Sequence, residues 1–177
     1  MAKALFLDRD GVVNIDKEYV YKKEDFEFMD GIFELCKFYS QNGYLIFIIT
    51  NQAGIGRGFY SEKDFLLLTQ WMKEQFAQND VKISDVRYCP HHPEHGVGQY
   101  KIDCECRKPK SGMILKIAKD YDIDLETSVL VGDKTSDIEA GKSSKIKNNI
   151  LIKSEYQKEF DFENLKKLLE NLKGVNI

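Results

Sequence analysis

A chain of 177 residues with 42% hydrophobic residues and only three prolines is long enough to bury a full core, and residues 1–177 are read as a single domain. Its formal charge of -3, with lysines scattered along the whole length and no basic stripe, excludes a nucleic-acid surface. No apolar run approaches a membrane span and the N-terminus leads straight into an apolar strand, so a cytoplasmic, monomeric protein without membrane partners is expected.

The first element is a short apolar run at residues 4–7, the length of one buried strand, which stops at Asp8 with Asp10 and Gly11 behind it. Apolar residues at 32, 33, 35, 36, 38 and 39 trace a helical face with Cys36 in the core, and Asn42-Gly43 supplies its stop. A second buried strand spans residues 44–49 and ends at Thr50-Asn51-Gln52. The glycine-rich residues 53–60 read as a loop, and Ser61 with Asp64 caps a helix to about Gln78 whose inner side carries Phe65, Leu66, Leu68, Trp71, Met72 and Phe76.

A third strand lies within residues 81–88, followed by an irregular cysteine-rich segment from Cys89 to Cys106. Ser111-Gly112 opens a helix with Met113, Ile114, Ile117, Ala118 and Tyr121 inward, and a fourth strand at residues 129–131 stops at Gly132-Asp133. A short helix through Ile138 and Ala140, a fifth strand at residues 149–152 and an amphipathic helix at residues 165–172 complete the chain. Strand and helix alternate throughout, which predicts an α/β fold: a Rossmann-like parallel sheet with helices on both faces.

Three of these strands end in polar groups: Asp8 and Asp10, Thr50 and Asn51, Asp133 and Asp137. If the strands are parallel neighbours, the groups meet at one sheet edge, where ligands of such folds bind. Carboxylates gathered there repel one another unless a cation lies between them, and hard oxygen ligands with open positions suit Mg²⁺. Lys108 and Lys134 add positive charge for an anionic group, so the set reads as a phosphoryl-transfer site.

A second constellation is Cys89-Pro90-His91 with Cys104-Glu105-Cys106. Three thiolates and an imidazole make a closed tetrahedral set, the composition of a structural zinc site in a loop that leads into Arg107-Lys108. His92 and His95 compete for the imidazole position, and His91 is favoured because a Cys-x-His hook opposite a Cys-x-Cys hook is compact.

Asp8-Arg9-Asp10-Gly11, the strand ending in Thr50, Lys108, and Gly132-Asp133-Lys134 with Asp137 resemble the four ordered motifs of the haloacid dehalogenase (HAD) superfamily of phosphatases, over almost the whole chain. The resemblance implies that Asp8 is the nucleophile of an aspartyl-phosphate and Asp10 the general acid and base. It further implies that Asp8, Asp133 and the Asp10 main-chain carbonyl hold Mg²⁺, while Thr50 and Lys108 hold the phosphate oxygens. Asp137 is left between orienting Lys134 and orienting a metal-bound water.

With its zinc loop, Thr-Asn-Gln-Ala-Gly-Ile-Gly-Arg-Gly and Cys-Glu-Cys-Arg-Lys-Pro, the chain is similar to the D-glycero-D-manno-heptose 1,7-bisphosphate 7-phosphatases, whose neighbours are the histidinol-phosphate phosphatases. Only about forty residues separate Asp10 from Thr50 and one helix fills them, so no cap domain is expected and loops must enclose a small sugar phosphate. By the same resemblance, Asp16, Lys17, Glu18 and Tyr19, Thr50, Asn51, Gln52 and Ala53, Arg107, Lys108 and Lys134 contact the substrate. Two non-enzymatic readings compete: a receiver-like phospho-acceptor domain, against which Asp10 speaks, and a zinc-dependent interaction module, which accounts for the Cys₃His loop alone.

Overall fold

A computed structural model describes residues 1–174; the last three residues of the expected 1–177 domain lie outside the described residues. The elements in chain order are β1 (Lys3–Leu7), α1 (Ile32–Gln41), β2 (Tyr44–Asn51), α2 (Ala53–Gly56), α3 (Glu62–Gln78), β3 (Ile83–Cys89), a 3₁₀ turn at Gly98–Tyr100, α4 (Gly112–Tyr121), β4 (Val129–Gly132), α5 (Thr135–Ser143), β5 (Asn148–Leu151) and α6 (Leu165–Gly174). All sheet pairings are parallel, in the order β3-β2-β1-β4-β5. Chain order thus reverses direction at β1, which puts the β1 end between those of β2 and β4.

The strands are apolar on both sides because helices cover both faces. Leu5, Leu7, Ile46, Ile48, Val129 and Val131 face α1, α3 and α6, while Ala4, Phe6, Phe47, Ile49 and Leu130 face α4 and α5. Full burial of side chains such as Phe6 and Phe47 stabilises the fold by about 2–3 kcal/mol each. Among the described residues no helix is long and apolar enough to cross a membrane.

Local signals set the helix ends. Ser61 Oγ accepts from the Asp64 N–H at 3.1 Å while Asp64 Oδ2 accepts from the Ser61 N–H at 2.9 Å, the reciprocal capping box expected at the start of α3. Two expectations are corrected. Residues 53–56 form a short helical turn where a loop was expected, closed by bonds from the Arg57 N–H to the Ala53 carbonyl and from Gly58 to Ile55. Leu66 is half exposed: the inner face of α3 passes through Phe65, Leu68, Met72 and Phe76, and a residue one step on from Phe65 is rotated off it.

Candidate active site

Asp8 leaves the end of β1 with its N–H on the Val131 carbonyl of β4, so the first acid is pinned by the neighbouring strand. Its Oδ1 lies 2.5 Å from Lys108 Nζ, which also meets Asp137 Oδ1 at 2.6 Å and donates to the Ile49 carbonyl at 2.9 Å. Lys108 is held by its main chain as well. The Asn51 amide at the end of β2 donates to the Lys108 carbonyl at 3.1 Å and accepts from the Lys108 N–H at 3.0 Å. The second oxygen of Asp137, in the first turn of α5, accepts from the N–H groups of Asp133 and Lys134. Asp137 therefore orients Lys108 and the turn after β4.

Asp133 is fully buried, and both of its carboxylate oxygens lack a hydrogen-bond partner within the protein. Gly11 passes over it with φ 99°, so close that a Cβ there would lie 2.2 Å from Asp133 Oδ2. Only glycine fits both the backbone angle and the space. Ligand oxygens of Asp8, Asp133 and Asp137 lie within 4.8 Å of one another, and the one ammonium of Lys108 pairs with Asp8 and Asp137 only, so with all three acids ionised two negative charges are in excess, which a divalent cation would balance.

The proton affinities record this crowding. Burial, opposed by Lys108 and reinforced by Asp137, raises the Asp8 pKa to about 6. Burial and the charges of Asp8 and Asp137 raise that of Asp133 to about 9. Burial disfavours the Lys108 charge, but Asp137 and Asp8 more than offset it and hold the ammonium protonated.

Asp10 is in a different environment. Its Oδ1 accepts from Arg9 Nη2 at 2.8 Å and Asn14 Nδ2 at 3.0 Å, and its Oδ2 from Gln52 Nε2 at 3.0 Å. Burial pushes its pKa up, yet the Arg9 charge and these donors outweigh that and leave it below the usual carboxylate value. Arg9 is itself interior, between the rings of Phe26 and Phe65, and its Nη2 also donates to the Val20 carbonyl.

Asp8, Asp10, Lys108 and Asp137 line a cleft of about 600 Å³. Asp16, Glu18, Tyr19, Asn51, Ala53, Arg107 and Lys134 line it with Thr50 and Gln52, but Lys17 does not. Lys17 Nζ pairs with Glu27 at 2.9 Å on the outer surface, because Glu18 and Tyr19 both take positive φ and turn their side chains to the cleft instead. The structure thus leaves Lys17, where a substrate contact was expected, outside the residues that line the cleft. Gln52 and Asn51 border the cleft with their amides engaged by protein atoms.

Tyr156 was missed from the sequence. Its hydroxyl donates to Asp16 Oδ2 at 2.9 Å and its ring lies 4.2 Å from Lys134 Nζ, while Ser154 and Gln157 beside it donate to the Asp133 carbonyl. The bond from Tyr156 to Asp16 spans 140 residues of chain and carries no local pattern.

Cys89, His91, Cys104 and Cys106 converge, their ligand atoms within 4.8 Å of one another. Their sulfurs lie 2.9 to 3.4 Å apart without a disulfide, and His91 Nδ1 is 3.4 Å from Cys106 Sγ and 3.8 Å from Cys89 Sγ. Three sulfurs and one imidazole nitrogen gathered this closely suit the corners of a tetrahedron around a metal ion. His92 is not among them: its Nδ1 accepts from the N–H groups of Glu94 and His95.

The family model described as polynucleotide kinase 3 phosphatase matches residues 4–167. A D-glycero-alpha-D-manno-heptose-1,7-bisphosphate 7-phosphatase of Campylobacter jejuni is 50% identical over 179 residues, 99% of this chain and 98% of the relative. A D-glycero-beta-D-manno-heptose-1,7-bisphosphate 7-phosphatase of Haemophilus influenzae is 48% identical over 87% of this chain and 83% of its own. Among solved structures, a D,D-heptose 1,7-bisphosphate phosphatase from B. bronchiseptica complexed with magnesium and phosphate is similar at a TM-score of 0.80 and 26% identity, covering 97% of this chain and 98% of that one.

The raised Asp133 pKa has a sign that can be tested. Between the usual carboxylate value of 3.8 and about 9, folded Asp133 retains a proton that the unfolded chain has lost, so its contribution to stability falls as pH rises through this window. In chelator, Asp133→Asn should therefore melt higher than the unsubstituted protein at pH 9, with the gap narrowing toward pH 5, as read by calorimetry. A gap that widens toward acid would show that Asp133 is ionised and paired in the metal-free fold.

Proposed function

This chain belongs to the heptose 1,7-bisphosphate 7-phosphatases of the HAD superfamily, and from that premise we propose that it hydrolyses the C7 phosphate of a D-glycero-D-manno-heptose 1,7-bisphosphate through an aspartyl-phosphate on Asp8. The whole chain acts as one Mg²⁺-dependent phosphatase domain, as a monomer in the cytoplasm. The observation that carries this reading is the pair of unpartnered, buried Asp133 oxygens beside Asp8, with a second acid, Asp10, two residues on.

An Asp8 oxygen attacks phosphorus, the bond from phosphorus to the C7 oxygen breaks, and that oxygen takes a proton from Asp10. Asp10 then withdraws a proton from water as it attacks the phosphoryl group, which regenerates Asp8 and releases phosphate. Asp10 rests ionised among its donors, which suits the second step, and arrival of the phosphate's negative charge favours its protonation for the first. Lys108 and the Thr50 hydroxyl hold the non-bridging oxygens. A receiver-like switch would need only the acceptor; Asp10 at the same strand end supports turnover.

Asp8 and Asp133 with the Asp10 main-chain carbonyl would hold Mg²⁺, a fit supported by the charge excess and by oxygens with nothing else to bind. Bound there, the cation neutralises the converging carboxylates and the phosphate. Zinc suits Cys89, His91, Cys104 and Cys106, with no donor position left open for chemistry. Its role is to stiffen the loop that delivers Arg107 and Lys108.

Arg107 and Arg57 are the two of the chain's four arginines without a carboxylate partner among the described residues. Arg107 lines the cleft next to the Cys₃His group and its Nη1 reaches the His91 carbonyl at 3.4 Å. A free guanidinium there suits a second anionic group, which favours a bisphosphate over histidinol phosphate. The relatives differ in anomer, and both forms belong in the assay panel with histidinol phosphate and a 3′-phosphorylated oligonucleotide.

Three outcomes follow from these assignments. Asp8→Asn should lose activity by about a thousandfold or more, whereas Asp10→Asn should still form phosphoenzyme but release it slowly, as rapid-quench assays would resolve. Near-normal turnover in Asp8→Asn would remove it as nucleophile. Zinc should co-purify at about one per chain by elemental analysis, and an undiminished content in Cys104→Ser would reject this ligand set. Arg107→Ala should reduce the preference for bisphosphate over monophosphate by about 2 kcal/mol, roughly thirtyfold in relative kcat/KM. Equal losses on both would instead place Arg107 in the common chemistry.

A further inference from the structure

The resemblance casts Gln52 as a substrate contact, but its side chain is otherwise occupied. Gln52 is 2% exposed at the end of β2, and its own N–H is tied to the Cys89 carbonyl at 2.8 Å. Its Nε2 donates to Asp10 Oδ2 at 3.0 Å and to Thr50 Oγ1 at 2.8 Å, and its Oε1 accepts from the Tyr60 hydroxyl. Both amide hydrogens and the carbonyl are therefore in use. We propose that Gln52 and Tyr60 are positioning residues for turnover: Tyr60 locks the Gln52 amide, and the amide aims the Asp10 carboxylate and the Thr50 hydroxyl at the reacting phosphoryl group. This rests on the acid–base role assigned to Asp10 above.

The chemistry of the amide decides its orientation. Asp10 in its carboxylate form only accepts, so a flipped Gln52 would set its carbonyl oxygen against a carboxylate oxygen. Tyr60 secures the productive orientation, since a phenol that donates to Oε1 leaves the NH₂ group facing Asp10 and Thr50. Burial raises the Tyr60 pKa and keeps it a neutral donor. Thr50, by accepting from Gln52, is left with its own hydrogen free to donate toward the cleft.

The glycine-rich turn makes room for this arrangement. The Tyr60 ring stacks on Tyr21 at 5.0 Å and lies against Gly54, where a Cβ would come within 2.2 Å of ring atom Cε1. Gly54 is thus accounted for by the ring it admits. With Arg9 and Asn14 on the other oxygen, Asp10 is held from both sides.

A residue that acts through Asp10 and one that binds the sugar differ in kinetic signature. Tyr60→Phe and Gln52→Met, a similar shape without donors, should each lower kcat about tenfold, with KM for heptose bisphosphate falling alongside it as breakdown of the phosphoenzyme becomes rate-limiting. The same fall should appear with p-nitrophenyl phosphate, because water attack on the phosphoenzyme needs Asp10 whatever the leaving group, and phosphoenzyme should accumulate above the wild-type level in rapid quench. Circular dichroism identifies any variant that does not fold, and the other then decides. Wild-type kcat in a folded variant, or a raised KM confined to the sugar substrate, would overturn the relay. Failure of the underlying reading is separate: it would appear as the absence of phosphoenzyme in the wild-type protein itself.

Discussion

The Lys108 ammonium, shared between Asp8 and Asp137 in the interior, is the contact on which the geometry of the cleft depends. A buried ion pair contributes little net stability, because desolvating its members costs about as much as their attraction returns. What it does contribute is position. Removing the lysine would leave Asp8 and Asp137 buried without their shared partner, beside a third acid, Asp133. Even with Lys108 in place, the set remains short of positive charge. The raised proton affinities of Asp8 and Asp133 express the same deficit that a divalent cation would meet.

Lys108 is far along the chain from Asp8, and its placement is paid for by two devices. One is the Asn51 amide, which brackets the Lys108 main chain from the end of β2 and so ties the loop to the sheet. The other is the Cys₃His group, whose three sulfurs and imidazole gather residues 89–106 into a compact hook just before Arg107. A loop fixed at both points can present a charged side chain to the cleft with little entropy left to lose. The same logic extends to the far rim, where Tyr156 connects the segment after β5 to Asp16 and Lys134. Side chains from widely separated segments thus border one cleft.

Much of this was legible from local patterns. Continuous apolar runs marked β1 and β2, the strand–helix alternation placed the other three, and the polar groups that stop β1, β2 and β4 marked the edge where chemistry collects. Cys-x-His and Cys-x-Cys hooks identified their donor set because spacing alone constrains which sulfurs can converge. Where local patterns ran out, the reason was geometric. Lys17 sits between residues that line the cleft but pairs with Glu27 outside that lining, next to positive φ angles at Glu18 and Tyr19. Residues 53–56 wind into a helical turn because the carbonyls of Ala53 and Ile55 find donors at Arg57 and Gly58, a choice that glycine content does not reveal.

The sequence by itself therefore determined the α/β order, the strand-end acids, the thiol and imidazole donors and the family they resemble, because these depend on period, length and spacing over a few residues. Tertiary structure alone decided which acid carries which charge and which side chains serve another residue and not the cleft. Gln52, Tyr60, Asn51 and Tyr156 show why: their partners lie on other segments, and a hydrogen bond or a shift in proton affinity depends on distances and burial that exist only once the sheet has brought those segments together.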